Sequence, residues 1–431
     1  MKSPSLSNNK GYCVLTELGF YALIVAVFLT FFGFILQSNL IYLVASGLWG
    51  LILTDFLLSF LSLRGIRVMR FAPTHAVRDE DFKVRIKLEN RGFSKYLIKL
   101  TDSSFTKNIP GVELPIIPSL KSRETLEFDY IIKIKARGVH NLESVQAESS
   151  FPLGLWKRVV NFSYRSKITI YPEFYEVPQF AVSYRGMRSE FANTSSNRSG
   201  MGGNFLQIRK YQYGDSLKNV HWRATARTGK LMIRELEKFT LSNLSIVLDS
   251  SSNMVLGLLE ESNFEYAIKT VATIANKALS TRYHVKFIYY DQIKKKIEFK
   301  KAYGRMTPIL DSLSKVGMTD RVDVKDLVDA AIPEIERESV AVFVLLSLNS
   351  DVTQKIIQLA NQGIDSVLVV FDPRSFAAVL DKNIGDFYNV FSQLMNGEAS
   401  YLTGEGIRVY MVKHGDSIPD ALSRPHMFLS S

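Results

Sequence analysis

Residues 19–36 read GFYALIVAVFLTFFGFIL, and residues 40–63 read LIYLVASGLWGLILTDFLLSFLSL. The first stretch carries no charge and the second carries one, Asp55. A helix that crosses a bilayer needs about 20 apolar residues, within a range of about 17–25, so both stretches are expected to span. Only Gln37, Ser38 and Asn39 separate them, which implies a tight helical hairpin. Lys2 and Lys10 precede the first span, and Arg64, Arg67 and Arg70 follow the second. Positive flanks face the cytoplasm, so both termini are expected there. A second span follows at once and no small-residue cleavage site intervenes, which argues for an anchor rather than a signal peptide. An acid inside a span invites a functional reading. With no Lys, Arg or His in either span, the expectation for Asp55 is structural: protonated, or bonded to a hydroxyl such as Thr30 or Thr54.

The whole chain has 431 residues, a net charge of +11, 46% hydrophobic and 22% charged residues. That composition excludes a disordered chain, and the polar sequence beyond residue 64 excludes a polytopic transporter. The length suits two or three domains, each with its own core. Cys13 is the single cysteine, which excludes an intramolecular disulfide and a cysteine-based zinc site. The positive balance suits work beside an anionic membrane face.

After the hairpin (residues 1–64), residues 65–178 read as an antiparallel β-sandwich. Phe82, Val84, Ile86 and Leu88 alternate in one run, and Leu126, Phe128, Tyr130, Ile132 and Ile134 in another. Period two marks half-buried strands. Turns are signalled at Asn90-Arg91-Gly92, Pro110-Gly111 and Arg137-Gly138. Pro152-Leu153-Gly154-Leu155-Trp156 reads as a turn closing onto an aromatic anchor. Residues 179–208, rich in Ser, Asn, Gly and Arg, read as a flexible linker. Gly200, Gly202 and Gly203 there lack the Gly-Lys-Ser/Thr ending of a phosphate loop.

Residues 209–238, RKYQYGDSLKNVHWRATARTGKLMIRELEK, are the most distinctive in the chain. Gly214-Asp215 signals a turn, and Val220 and Trp222 are expected to alternate inward. Arg209, Arg223, Arg227 and Arg234 interleave with Asp215, Glu235 and Glu237. Arginine pairs bidentately with carboxylates, so the cluster reads either as an ion-pair lattice or as a basic surface for an acidic partner. His221 has no Ser or Cys nucleophile spaced around it and reads as structural.

This segment resembles the bacterial domain of unknown function 58, through Arg209, Tyr211, Gly214, Asp215, Trp222, Ala226, Arg227, Leu231 and Glu235, with Val220, Thr225 and Ile233 as conservative departures. The layout is similar along nearly the whole chain, although Phe151-Pro152-Leu153-Gly154-Leu155 lacks the aspartate of that family's corresponding turn. The resemblance implies a protein of the bacterial inner membrane with a von Willebrand A-like domain, accompanied by an AAA+ ATPase of the MoxR type. It implies no catalytic activity.

Residues 209–431 hold the motif and then alternating strands and helices. Leu244–Leu248, Val285–Tyr290, Val340–Leu348, Val367–Phe371 and Ile407–Val412 read as buried strands, with helices over residues 264–279 and 352–360. That order predicts an α/β doubly wound parallel sheet, von Willebrand A-like by the resemblance, with ligands beyond the carboxyl ends of its strands. Asp249-Ser250-Ser251-Ser252-Asn253 closes the first strand and resembles the Asp-x-Ser-x-Ser motif that holds Mg²⁺ in von Willebrand A domains. Asp249 and Ser251 match, and Asn253 replaces the second serine. The acid that the resemblance places after Leu348 is absent, and Thr307 is a candidate for its distant threonine. Such a set is expected to bind Mg²⁺ weakly or not at all. The other reading is a capping cluster for the next helix.

The expected function is therefore a membrane-anchored, non-enzymatic adaptor that presents its α/β domain and central motif to a protein partner, with no nucleic acid. Two other classes stay open: a metal-dependent enzyme using Asp249 and His221, and a basic nucleic-acid-binding membrane protein.

Overall fold

The computed structural model describes residues 10–102, 112–178, 180, 196–199, 205–212, 215, 217–238, 243–291, 296–336, 339–380, 386 and 388–425. The chain divides into two compact units, Met1–Tyr171 and Pro172–Ser431.

The first unit opens with a strand, β1 (Lys10–Leu15), that the sequence pattern does not announce. Thr16 then caps α1 (Glu17–Leu36), its Oγ1 accepting the Gly19 N–H at 3.0 Å. Gln37, at φ +48°, turns the chain into α2 (Asn39–Ser62). Both helices are long and apolar enough to cross a membrane, and only 17% of each apolar window is buried within the protein. A core helix would be covered on most sides, so these are not core helices.

Strands β2 (Ile66–Phe71), β3 (His75–Val77), β4 (Asp81–Asn90), β5 (Lys95–Asp102), β6 (Val112–Glu113), β7 (Ile117–Leu120), β8 (Thr125–Lys133), β9 (Gly138–Ser149) and β10 (Trp156–Tyr171) follow. They form two sheets. One runs β1-β10-β9-β5-β6, with β3 on β10 and β7 on β5; the other runs β2-β4-β8. Pairing is antiparallel except between β3 and β10. The alternating residues meet as expected: Ile86 and Leu88 of the small sheet share a core with Ile98, Leu100, Val145 and Ala147 of the large one. A buried polar knot also joins the sheets. Arg70 Nη1 lies 2.8 Å from Asp102 Oδ1, with both side chains at most 1% exposed, and the Tyr130 hydroxyl donates to the same carboxylate.

Asp55 corrects the hydroxyl expectation. Its oxygens accept the backbone N–H groups of Leu153 at 2.9 Å, Leu155 at 2.9 Å and Trp156 at 3.0 Å. Thr30 and Thr54 instead donate to the Ala26 and Gly50 carbonyls one turn back in their own helices. Further contacts with both helices hold the 151–156 turn beside Asp55. The Thr16 hydroxyl donates to the Gly154 carbonyl at 2.6 Å and the Ser59 hydroxyl to the Trp156 carbonyl at 2.9 Å. The Trp156 ring meets Phe56 edge-on at 5.0 Å. Glycine is required at position 19, because a Cβ there would lie 2.1 Å from the Leu155 carbonyl oxygen. The hairpin is thus continuous with the β-rich region as one packed unit.

In the second unit, β11 (Ser196–Ser199), β12 (Phe205–Lys210) and β13 (Met232–Lys238) form a small sheet in the order β11-β13-β12. Two strands therefore fall inside the stretch read as a linker, and Phe180 packs on Tyr410 with centroids 5.4 Å apart. Ser-Asn-Arg-Ser has no apolar alternation, and only its backbone pairing with β13 makes it a strand. Gly200, Gly202 and Gly203 lie outside the described residues.

The large sheet is built from β14 (Asn243–Leu248), β15 (His284–Asp291), β16 (Lys296–Tyr303), β17 (Val340–Leu345), β18 (Asp365–Phe371) and β19 (Arg408–Val412). Its order is β16-β15-β14-β17-β18-β19. Five strands are parallel, as their uninterrupted apolar runs predict. The edge strand β16 is antiparallel and was not anticipated, because Lys-Ile-Glu-Phe-Lys-Lys-Ala-Tyr is too polar to read as a buried strand. Lysines on an edge discourage further pairing. Helix α3 (Trp222–Thr228) belongs to the central motif. Helices α4 (Asn263–Ser280), α5 (Thr307–Leu313), α6 (Val324–Ala331), α7 (Ser350–Asn361) and α8 (Pro373–Ala377) punctuate the large sheet. Val328 of α6, Ile356 and Leu359 of α7, and Met395 and Leu402 of the helix Asn389–Gly404 share a core with Phe343, Leu368 and Val370.

Candidate functional site: the central motif and the strand tip

The central motif folds as a strand pair bridged by one short helix. Arg209 faces Ile233 across β12 and β13, and the Tyr211 N–H donates to the Leu231 carbonyl at 2.9 Å. The Arg209 guanidinium grips Asp215 bidentately, with both contacts at 2.7 Å. The Gln212 N–H donates to the same carboxylate at 2.8 Å. Two of the family-like residues thus form one clamp across the turn. Gly214 lies outside the described residues, and so does the side chain of Glu235.

The clamp has a pH signature. The Arg209 hydrogen bonds first, and the Gln212 N–H second, pull the Asp215 carboxyl down from 3.8 to about 2. A depressed carboxyl stabilises the fold above its unfolded value and loses that contribution as pH falls through its folded value. Stability of the β12–β13 pair is therefore expected to decline between about pH 4 and pH 2. Protection of the Gln212 and Tyr211 amides against exchange, relative to their intrinsic rates, should fall across that window in the parent chain. An Asp215→Asn variant should exchange fast throughout; equal profiles would contradict the clamp.

The expectation that Val220 and Trp222 alternate inward holds for one of them. Val220 is 9% exposed and bridges Ile233. Trp222 is 72% exposed, because it opens α3 rather than continuing a strand. His221 stands at the N-cap of that helix, with Nδ1 accepting the Ala224 N–H at 3.1 Å, a structural role as anticipated. Gly229, at φ +65°, closes the helix, and Thr225 Oγ1 accepts the Met232 N–H at 3.0 Å, fastening the helix to β13. Arg223, Ala226, Arg227, Lys230 and Arg234 are all exposed, beside Leu217 at 65% and Leu231 at 43%. Among the described residues no ion pair holds Arg223, Arg227 or Arg234. Among the described residues the ion pair of this segment is the Arg209–Asp215 clamp, the side chains of Glu235 and Glu237 lying outside them, and Arg223, Arg227 and Arg234 are exposed.

The second candidate lies at the carboxyl ends of β14 and β17. Asp249 is 1% exposed. Its Oδ1 accepts the Ser251 N–H at 2.8 Å and its Oδ2 accepts the Leu346 N–H at 3.0 Å. Burial raises its carboxyl above the ordinary value, against the hydrogen bonds that favour the anion. Ser250 and Ser251 are buried beside it. Thr319, not Thr307, closes this tip. Its N–H donates to the Ser250 carbonyl at 2.8 Å, and its carbonyl accepts the Ser252 N–H at 2.7 Å. Thr307 is exposed in the first turn of α5. Thr319 sits in an irregular loop without periodicity, so no local signal pointed to it.

Asn253 is exposed in the following turn, and Asn349 caps α7 by accepting the Val352 N–H at 3.0 Å. Asp249 caps no helix among those described: Ser262 caps α4, which corrects the capping reading. A divalent ion fits these donors poorly. Among the described residues Asp249 is the one buried carboxylate at the tip, and both of its oxygens are already engaged by backbone N–H groups. Among the described residues no three His, Cys, Asp or Glu side chains gather as a metal site. The observed role of Asp249 is to lock two strand ends together. Asp249→Ala should leave two buried amides unpaired, at about 1–3 kcal/mol each, and lower the melting temperature of the chain. Unchanged melting would show that the tip does not depend on it.

Residues 207–377 match the family described as Protein of unknown function DUF58. That span holds the motif and runs through the parallel sheet as far as α8; the N-terminal layout is not part of it. Over 157 residues the chain is 24% identical to the uncharacterized protein YeaD of Bacillus subtilis, covering 36% of this chain and 37% of that protein. The matched stretch spans a little over a third of that relative's length. Among solved structures, a superoxide reductase (neelaredoxin) from Ignicoccus hospitalis is similar at a TM-score of 0.17 and 16% identity, over 26% of this chain and 85% of that one. A CARDB domain from Pyrococcus furiosus is similar at 0.17 and 11%, over 25% and 94%. A family 123 glycoside hydrolase from Clostridium perfringens is similar at 0.17 and 10%, over 81% of each chain. Likeness this slight transfers neither fold nor activity.

Proposed function

We propose that this chain is a membrane-anchored, non-enzymatic adaptor whose central motif docks a cytoplasmic protein partner, an AAA+ ATPase of the MoxR type. The observation that carries this reading is Trp222, 72% exposed on a short helix fastened at both ends, in a segment where Arg223, Arg227 and Lys230 are exposed as well. A tryptophan and arginines are the residue types that dominate binding energy at protein interfaces, and a basic rim favours an acidic partner surface. The von Willebrand A-like reading of the α/β unit belongs to the same proposal. It is supported by the parallel sheet order and by the Asp249–Ser251 tip.

In this reading the two apolar helices cross the bacterial inner membrane twice, with both termini in the cytoplasm. Alkaline phosphatase fused after Ser431 is expected to be inactive and a cytoplasmic reporter at the same site active; the reverse pattern would overturn the orientation. Detergent-solubilised full-length chain, used as bait against membrane and cytosol fractions and read by mass spectrometry, is expected to recover the ATPase. Repeated recovery of nucleic acid, or of no protein at all, would overturn the adaptor reading.

A further inference from the structure

We propose that the rim formed by Phe93, Tyr96, Leu97 and Leu153 in the β-rich region of the first unit is seated in the headgroup–acyl boundary of the bilayer, a third membrane contact beside the two helices. The inference rests on the membrane-anchored reading above. Depth comes from Asp55. It lies seven residues before the end of α2 at Ser62, about 10 Å at 1.5 Å per residue, and it bonds directly to the amides of Leu153, Leu155 and Trp156.

Beyond Asp55 the helix stays apolar and uncovered: Leu57, Leu58, Phe60 and Leu61 are 44–56% exposed. Lipid that covers these side chains reaches past the level of Asp55, and so reaches the turn bonded to it. A cation marks where that lipid ends: the Arg158 guanidinium lies 4.7 Å from the Phe60 ring centroid. The buried Lys95 Nζ donates to the Leu61 carbonyl at 2.8 Å and ties the rim strand to the end of α2. Long basic side chains and aromatic rings gather at this level of a bilayer.

The strand that starts at Lys95 carries the rim. Tyr96 is 41% exposed and Leu97 is 49% exposed. The Tyr96 ring packs against Phe151 at 4.8 Å, next to Leu153, which is 48% exposed. Phe93 is 87% exposed in the loop held by Asn90, whose side chain donates to the Phe93 carbonyl at 2.8 Å. Neighbouring Gly92 approaches Gly65 at the foot of α2. The rim therefore adjoins the foot of the apolar helices, and a lipid surface is the occupant that reaches both.

The test places an environment-sensitive fluorophore on single cysteines in the full-length chain, in a Cys13→Ser background, reconstituted in vesicles of phosphatidylcholine and phosphatidylglycerol. Probes sit at Phe93→Cys and Leu153→Cys. Phe34→Cys on α1 reports the span, and Val390→Cys reports water. Lipids carrying a doxyl quencher near the glycerol end of the acyl chain are expected to quench the two rim probes several-fold more than the Val390 probe, with blue-shifted rim emission. Rim probes as unquenched as Val390, beside a quenched Phe34 probe, would overturn the rim contact and leave the anchor standing. An unquenched Phe34 probe would remove the anchor reading and the rim contact with it.

Discussion

Asp55→Ala is expected to detach the helical hairpin from the β-rich region of the first unit. The carboxylate is fully buried and is the acceptor for three backbone amides, those of Leu153, Leu155 and Trp156. Removing one partner from a buried hydrogen bond costs about 1–3 kcal/mol for each group left unpaired. The combined loss should reach about 3 kcal/mol or more. Asp55→Asn should fall between parent and alanine, because the amide offers one acceptor oxygen and turns an N–H donor toward a second amide. Thermal unfolding of the purified chain in detergent, with limited proteolysis of the 151–156 turn, reads both variants. Parent-like melting and parent-like resistance in Asp55→Ala would show that packing and the Thr16 and Ser59 hydrogen bonds hold the turn without the carboxylate.

Trp222→Ala is expected to leave folding intact and to weaken binding of the proposed partner. The ring is 72% exposed, so its truncation opens no cavity, and surface changes of this kind usually stay within about 0.5 kcal/mol. An exposed tryptophan used as an interface anchor is worth about 2 kcal/mol or more when truncated, about 30-fold in Kd. Arg227→Ala should behave in the same way with a smaller loss. Ile233→Ala makes the contrast. That side chain is 3% exposed, and its truncation should cost about 2–5 kcal/mol of stability. Thermal melting and capture of the proposed ATPase partner, measured on the three variants together, separate the roles. A destabilised Trp222→Ala that still captures its partner would place the docking surface elsewhere.

What could be read from the chain alone has a common physical character. The two apolar helices show because each is an unbroken run longer than any soluble strand. The parallel strands read at 244–248, 285–290, 340–348 and 367–371 show because burial on both faces leaves no polar alternation, although the third ends at Leu345. α4 shows because Ala267, Val271, Ile274 and Ala278 repeat at helical spacing. The Arg209–Asp215 clamp was within reach because its partners are six residues apart. In all of these the deciding neighbours lie within one turn or a few residues along the chain.

Tertiary structure decided the rest. The partners of Asp55 lie about a hundred residues downstream, and a backbone amide carries no mark in the sequence. β1 is a strand because Lys10–Leu15 pairs with Trp156–Asn161 of β10, and Ser196–Ser199 is one because β13 lies beside it. Thr319 joins the Asp249 tip through backbone hydrogen bonds alone. Trp222 was expected inside because it follows Val220 at strand spacing; a histidine cap starts a helix there and turns the ring outward. Apolar periodicity records how much of a side chain is buried when an element is regular. It does not record which distant backbone closes a hydrogen bond, nor where a strand gives way to a helix.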